Sequence, residues 1–174
     1  MSIEILIDGY NLINKWDILK DKFTKDPENA REFLIEILHR YRRLKHHKIK
    51  VVFDAYNSFS LIPSKFSAKG ITVIFTPMGE TADIYIKKSV SSNGEKYIVV
   101  TSDNEIKQFA NANGALSLNS EDFIAKLEFA FYLDSKGMEN ESEEVKRRIT
   151  TKKKGNPRKL PKKIRKNLKK FGKL

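Results

Sequence analysis

The sequence predicts a doubly wound α/β fold with a mostly parallel sheet and helices on both faces. Short apolar runs rich in Ile, Val and Phe recur along the chain, separated by amphipathic stretches. Near-continuous apolar runs are typical of strands that helices cover on both sides. Because strand and helix patterns alternate, right-handed crossovers between parallel strands are expected. In such sheets ligands bind beyond the carboxyl ends of the strands, and functional residues should lie there.

Four apolar runs and a weaker fifth one are the expected strands: residues 3–7, 51–53, 71–75, 97–100 and 115–118. The longest helix is expected over residues 29–46, where apolar side chains recur at three- and four-residue spacings. Shorter helices are expected over residues 81–90, 104–112 and 120–134, the last of them opening on Ser120, a favoured capping residue.

The charge is divided unevenly along the chain. Residues 146–174 contain fifteen of the 34 Lys and Arg and none of the 22 Asp and Glu, which leaves the body of the protein mildly acidic. We therefore expect a domain over residues 1–148 and a basic tail over residues 149–174. Apolar residues at helical spacing predict a basic amphipathic helix within the tail.

A polycationic tail attracts phosphate groups and favours RNA as its partner over lipid. Its candidate nucleic-acid contacts are Lys152, Lys153, Lys154, Arg158, Lys162, Lys163, Arg165 and Lys166. The chain has no cysteine, so disulfides and thiolate metal sites are excluded. No basic leader and no apolar run of about 20 residues is present, so a soluble, cytoplasmic protein without a membrane partner is expected.

Aspartates follow the ends of three expected strands: Asp8, Asp54 and Asp103. A fourth, Asp83, comes shortly after the strand over residues 71–75, near the start of a helix. Any one of them could simply cap a helix or form a turn. Because the carboxyl ends of parallel strands share one edge of the sheet, four carboxylates could converge there.

Carboxylates gathered in one cleft repel one another unless cations neutralise them. Mg²⁺ and Mn²⁺ prefer oxygen ligands and are commonly held by one or two carboxylates together with substrate phosphate. The basic tail independently indicates a polyphosphate partner. Together the two observations favour metal-dependent phosphodiester hydrolysis over binding alone.

Four short blocks, in this order, resemble the signature blocks of YacP-like NYN-domain ribonucleases. They are Asp-Gly-Tyr-Asn at residues 8–11, Val-Phe-Asp-Ala at 52–55, Glu-Thr-Ala-Asp at 80–83 and Thr-Ser-Asp at 101–103. The resemblance covers roughly residues 3–148, with the basic tail in the place of the family's variable C-terminal segment. It implies a PIN-like fold and a metal-dependent endoribonuclease, with bacterial members linked to cleavage of mRNA on ribosomes.

The resemblance also implies roles for individual residues. Asp8, Asp83 and Asp103 match the acidic metal-site positions, and Asn11 matches the polar residue of the first block, where it would orient a ligand carboxylate, a water or a phosphate oxygen. Asp54 ranks lower, as a supporting or structural residue. The implied reaction uses one or two Mg²⁺ or Mn²⁺ ions and leaves 5′-phosphate and 3′-hydroxyl ends.

Two other function classes stay open. One is a non-catalytic RNA- or ribosome-binding protein with the same fold, and the other is a DNA-directed PIN-like nuclease. Retention of all four acidic blocks favours an enzyme over a binding protein, whereas backbone contacts alone do not distinguish RNA from DNA. Ser102 is expected to cap a helix or position a ligand, because no nucleophile elbow surrounds it.

Overall fold

The computed structural model describes residues 4–54 and 64–147 of the 174-residue chain, with side chains described as far as residue 137. The elements, in chain order, are β1 (Glu4–Asp8), α1 (Gly9–Lys15), α2 (Asp17–Lys25), α3 (Pro27–Lys45), β2 (Lys48–Phe53), β3 (Ser64–Ala68), β4 (Ile71–Phe75), α4 (Ala82–Asn93), β5 (Tyr97–Val100), α5 (Asn104–Ala112), β6 (Leu116–Leu118) and α6 (Ser120–Arg147).

Six strands in the described part of the chain form one sheet in the order β3-β4-β2-β1-β5-β6. β1 pairs in parallel with β2 and β5, and the β2–β4 and β5–β6 pairs are also parallel. The β3–β4 pair is antiparallel. From β1 the chain first moves to one side of the sheet and later crosses to the other, so the expected doubly wound, mostly parallel sheet is confirmed.

Alternate strand residues supply the cores on the two faces of the sheet. One core joins the strands to α4 and α5 and includes Leu6, Val52, Ile74 and Val99. The intervening residues, such as Val51 and Phe53, are also fully buried, and they point to the opposite face, where α1 and α3 contact β2. Burial on both faces explains why these strands read as continuous apolar runs.

The same alternation decides which side of the sheet the strand-exit residues occupy. Asp8 lies two positions after Leu6, and Asp54 lies two positions after Val52, so both carboxylates continue the face that α4 and α5 cover. Thr76 and Thr101 occupy the equivalent positions beyond β4 and β5 and are almost fully buried. The carboxyl edge on the α4/α5 side is therefore lined by polar residues.

The sequence patterns located five of the six strands, with shifts of a few residues at some ends. Two strands and α5 match the expected ranges residue for residue, at 71–75, 97–100 and 104–112. β3 was not predicted because it is a polar edge strand, exposed at four of its five positions, which joins β4 through a tight turn at Lys69-Gly70. α1 and α2 were not predicted either, and α6 continues past its expected end at residue 134.

The described part of the chain divides into two units, with the boundary between residues 127 and 128. The first contains the whole sheet and α1 to α5, and the second begins within α6. The candidate nucleic-acid contacts of the basic tail, from Lys152 to Lys166, lie outside the described residues, so the tail helix and the boundary at residue 148 stay predictions. Among the described residues, no helix is both long enough and apolar enough to cross a membrane.

Gly9 allows α1 to start against the sheet directly after Asp8. A Cβ atom at residue 9 would collide with three ring atoms of Phe53. That ring is fully buried and already packs against the rings of Tyr10 and Phe75, at centroid distances of 5.1 and 5.5 Å. The missing side chain thus sets how closely the first helix approaches β2.

We expect Gly9→Ala to destabilise the fold by about 1 to 3 kcal/mol, because the added methyl group overpacks the Phe53 ring. Gly137→Ala is the matched control, since no atom lies within 4 Å of the added Cβ and alanine is favoured in helices by roughly 0.5 to 1 kcal/mol. Chemical denaturation of the two variants measures the difference. Equal effects at the two positions would contradict the packing argument.

Candidate active site at the carboxyl edge of the sheet

Asp8 is the last residue of β1, an inner strand flanked by β2 and β5, and it also caps α1. Its Oδ1 accepts a hydrogen bond from the backbone N–H of Asn11 at 3.1 Å. The residue is only 7% exposed. A helix N-terminus favours a carboxylate, yet burial removes the water that would otherwise stabilise its charge.

Asp103 and Asp83 lie at the N-termini of α5 and α4, two helices that contact each other. Asp103 caps α5, where its Oδ1 accepts hydrogen bonds from the backbone N–H groups of Glu105 at 2.7 Å and Ile106 at 3.1 Å. Asp83 belongs to the first turn of α4, which Thr81 caps. The two loops that precede these helices therefore bring both carboxylates to the same edge as Asp8.

Asp54 connects the end of β2 to the start of α4. Its Oδ1 accepts a hydrogen bond from the backbone N–H of Ala82, the residue next to Asp83. The expected supporting role of Asp54 agrees with this contact, because the carboxylate holds the first turn of α4 over the carboxyl edge. Its lower-ranked role as a metal ligand stays a prediction.

Asp8, Asp54, Asp83 and Asp103 form what we call the carboxylate cluster. The pKa of Asp8 is raised to about 7, first by burial and then by the charges of Asp83, Asp54 and Asp103, against the opposing hydrogen bond from Asn11. The pKa of Asp83 is also raised, by burial and then by Asp103 and Asp54. The structure thus brings all four strand-exit aspartates into one electrostatic group.

The carboxylate cluster has suitable donors for a hard divalent cation but is not a closed cage. All its donors are carboxylates, and its excess negative charge is what a cation would relieve. Within residues 4–54 and 64–137, no three His, Asp or Glu side chains have the spacing of a ready-made metal centre. An open site of this kind fits Mg²⁺ or Mn²⁺, which retain waters and use few protein ligands. The ligand roles of Asp8, Asp83 and Asp103 stay predictions.

Asn11 joins three segments of the chain beside the carboxylate cluster. Its side-chain Oδ1 accepts hydrogen bonds from the backbone N–H of Ser102 at 2.9 Å and from the hydroxyl of Ser120 at 2.8 Å. These contacts link α1 to the turn before Asp103 and to the start of α6. Because Oδ1 already accepts two hydrogen bonds from the protein, the Nδ2 group would make the predicted contact of Asn11 with a ligand, a water or a phosphate oxygen.

Glu121 and Ser120 hold the turn that contains Ser102, and the sequence patterns did not single them out for a role in the site. The Ser102 hydroxyl donates to Glu121 Oε2 at 2.7 Å, and Lys15 pairs with Glu121 Oε1 at 3.2 Å. Hydrogen bonds from Ser102 and from the residue's own backbone N–H, and then the contact with Lys15, lower the pKa of Glu121 to about 2. Their position beyond β6, at one more strand exit, is the signal that could have identified them.

Comparisons with known proteins agree with this architecture. The YacP-like NYN domain family matches residues 5–173. The uncharacterized protein YacP of Bacillus subtilis (strain 168) is 32% identical over 127 residues, which are 71% of this chain and 74% of the relative. A crystal structure of a mutant of Rae1 (YacP) from Bacillus subtilis matches with a TM-score of 0.69 and 28% identity, covering 83% of this chain and 86% of that one. A second crystal structure of Rae1 (YacP) from Bacillus subtilis matches with a TM-score of 0.64 and 29% identity, covering 99% of this chain and 94% of that one.

The fold and the carboxylate cluster define a nuclease-like α/β domain of PIN-like architecture. The chain belongs to the YacP-like NYN domain family. The family resemblance and the fold class that the four sequence blocks implied are therefore confirmed.

Asp8→Asn should stabilise the metal-free protein increasingly as the pH rises. The pKa of Asp8 is about 7 when folded, above its ordinary value of 3.8, so the folded state binds more protons between these values. Stability of the wild type therefore falls as the pH rises through this range, by up to about 4 kcal/mol for a shift of this size, and Asn lacks that penalty. Thermal melts in EDTA from pH 4 to pH 8 measure it.

Asp26→Asn is the matched control, because Asp26 caps α3 through the same kind of hydrogen bond but is exposed. We expect this variant to lose a little stability and not to gain any with rising pH. A stability difference between Asp8→Asn and wild type that does not change with pH would contradict the electrostatic account of the carboxylate cluster.

Proposed function

We propose that this protein is a metal-dependent endoribonuclease that hydrolyses RNA phosphodiester bonds and leaves 5′-phosphate and 3′-hydroxyl ends. The observation that carries the proposal is the buried carboxyl of Asp8, whose pKa is raised to about 7 at an edge shared with three other carboxylates. Groups perturbed by burial and by like charges are enriched at functional sites. Membership of a nuclease-like NYN family supports hydrolysis as the reaction class.

In this proposal Asp8, Asp83 and Asp103 hold Mg²⁺ or Mn²⁺ through their carboxylate oxygens. Such an ion, when bound, activates water for in-line attack and stabilises the charge that develops on the phosphate and the departing 3′-oxygen. The N-termini of α4 and α5 add partial positive charge at the same edge. Asp54 positions the first turn of α4, and Asn11 positions the turn that leads to Asp103.

RNA is the proposed substrate, and mRNA, including mRNA on the ribosome, is its proposed source. The basic C-terminal residues support this choice, since residues 146–174 contain fifteen Lys and Arg and no acid, which makes a strong attraction for a phosphate backbone. The body of the protein is mildly acidic, so the long-range attraction for RNA would come from the tail. The reaction would take place at the carboxylate cluster.

Asp83→Asn should abolish cleavage while leaving the protein folded and RNA binding largely intact. The substitution removes a charge from a repelling group, so the metal-free fold should not weaken. Asp17→Asn, an exposed aspartate in the first turn of α2, is the matched control and should cleave as the wild type does. Wild-type turnover by Asp83→Asn would refute the mechanism, and a large loss of thermal stability would instead indicate a structural role.

The substrate and the reaction are tested on the purified full-length protein. Labelled RNA and DNA are incubated with and without Mg²⁺ or Mn²⁺ and ribosomes, and the product ends are analysed. Cleavage of DNA in preference to RNA would identify a DNA-directed nuclease, and RNA binding without cleavage would identify a binding protein. Products with 5′-hydroxyl ends would show that the 5′-oxygen departs and would contradict the proposed departure of the 3′-oxygen.

Deleting residues 151–174 should weaken RNA binding strongly and leave slow cleavage of excess substrate in place. For single strands, each phosphate contact adds about −0.7 to the slope of log affinity against log salt concentration. If a third of the tail's charges contact phosphate, truncation should reduce the slope by roughly 3. Binding measured from low to moderate salt tests this, and equal slopes for the two proteins would mean that the body supplies the contacts.

A further inference from the structure

Lys87 is a cation beside the carboxylate cluster that the proposed mechanism does not use. It lies one helical turn after Asp83 on α4, so the two side chains share a face of that helix. Its Nζ forms an ion pair with Oε1 of Glu105 at 2.5 Å, and Glu105 follows Asp103 by two residues on α5. The side chain of Lys87 therefore connects α4, which carries Asp83, to α5, which Asp103 caps.

The side chain of Lys87 is less exposed than that of its partner Glu105. Its Nζ lies 5.8 Å from the ring centroid of Phe109, and its side chain is only 27% exposed. The side chain of Glu105 is 81% exposed. Ion pairs with such an exposed partner contribute little stability, so Glu105 can turn into solvent at small cost. The ammonium group is thus a positioned cation that can exchange one anion for another.

The charge of Lys87 acts on the carboxylate cluster. The hydrogen bond to Glu105, and then the charges of Asp83 and Asp103, raise the pKa of Lys87, so the side chain stays protonated. A fixed cation at this position has opposite effects on two ligands, because it repels a divalent metal ion and attracts a phosphate. Loss of a residue that only supports the fold would weaken the binding of both ligands, whereas loss of this charge should weaken the binding of phosphate alone.

We propose that the ammonium group of Lys87 contacts a backbone phosphate of RNA bound at the carboxylate cluster and exchanges Glu105 for that phosphate. This inference rests on the proposed function and adds a substrate contact to it. The reach from α4 to α5 places the cation next to the edge where the scissile bond must approach Asp83 and Asp103. Lysine suits this role because it binds phosphate as a compact point charge.

Lys87→Met removes the charge and keeps an apolar stem that can still pack against Phe109. In the full-length protein with saturating Mn²⁺, we expect KM for a single-stranded RNA to rise about tenfold, as for the loss of one charge-assisted contact, while kcat changes by less than about twofold. Mn²⁺ affinity measured by calorimetry without RNA should stay the same or increase. Glu105→Gln should lower KM, because it removes the competing anion.

Lys88→Met is the matched control. Lys88 is the adjacent residue on α4, but it is 68% exposed and pairs with Glu80 instead. We expect its KM, kcat and Mn²⁺ affinity to stay within about twofold of wild type. The inference is overturned if Lys87→Met and Lys88→Met raise KM equally, or if Lys87→Met weakens Mn²⁺ and RNA binding together, as a structural defect would.

The failure of this inference can be told apart from the failure of the proposed function. If the wild type cleaves RNA and the two lysine variants behave alike, only the phosphate contact is wrong. If the wild type does not cleave RNA, the proposed function is wrong, and RNA affinity in Mn²⁺, measured by fluorescence anisotropy, replaces KM in the comparison. A selective loss of affinity in Lys87→Met then still supports the contact, and equal affinities overturn it.

Discussion

The parallel pairing of β1 with strands on both sides is the constraint on which the carboxylate cluster depends. In the register of the sheet Asp8 lies beside Val52, and Ile7 lies beside Val100. The segments that leave β2 and β5 therefore begin next to Asp8, and they carry Asp54 and Asp103. The chain also changes direction across the sheet at this point, which is where a doubly wound fold leaves a crevice.

This arrangement opposes folding at the same time as it creates the site. A carboxyl with a pKa of about 7 is less stable as an anion in the folded chain than in water, and three like charges nearby add to the penalty. Backbone N–H groups offset part of it, because Asp8, Asp54 and Asp103 each accept at least one such hydrogen bond. The aspartates thus begin or anchor helices while keeping a charge surplus that a cation would relieve.

Much of the fold and the position of the site could be predicted because they depend on local pattern. Buried strands such as Ile71–Phe75 are continuous apolar runs, and an aspartate after such a strand must lie at the carboxyl edge. β3 escaped prediction because a polar edge strand is specified by its pairing with β4 rather than by its own composition. The contacts of Asn11 with Ser102 and Ser120 join residues that are 91 and 109 positions apart in the chain. Helix and strand periodicity relates only residues a few positions apart, so it could not predict these contacts.

The four residues of the first sequence block, residues 8–11, have structural roles in addition to the proposed chemical role of Asp8. Asp8 supplies the charge, and the absence of a side chain at Gly9 lets α1 approach Phe53. Tyr10 packs against that same ring and accepts a hydrogen bond from Arg31 at 3.1 Å, which fixes α3 to the start of α1. Asn11 then connects α1 to Ser102 in the fourth sequence block. Residues 9–11 thus orient the Asp8 carboxylate by packing on one face of the sheet and by hydrogen bonds across its edge. A substitution at any of these three positions should therefore shift the position of that carboxylate.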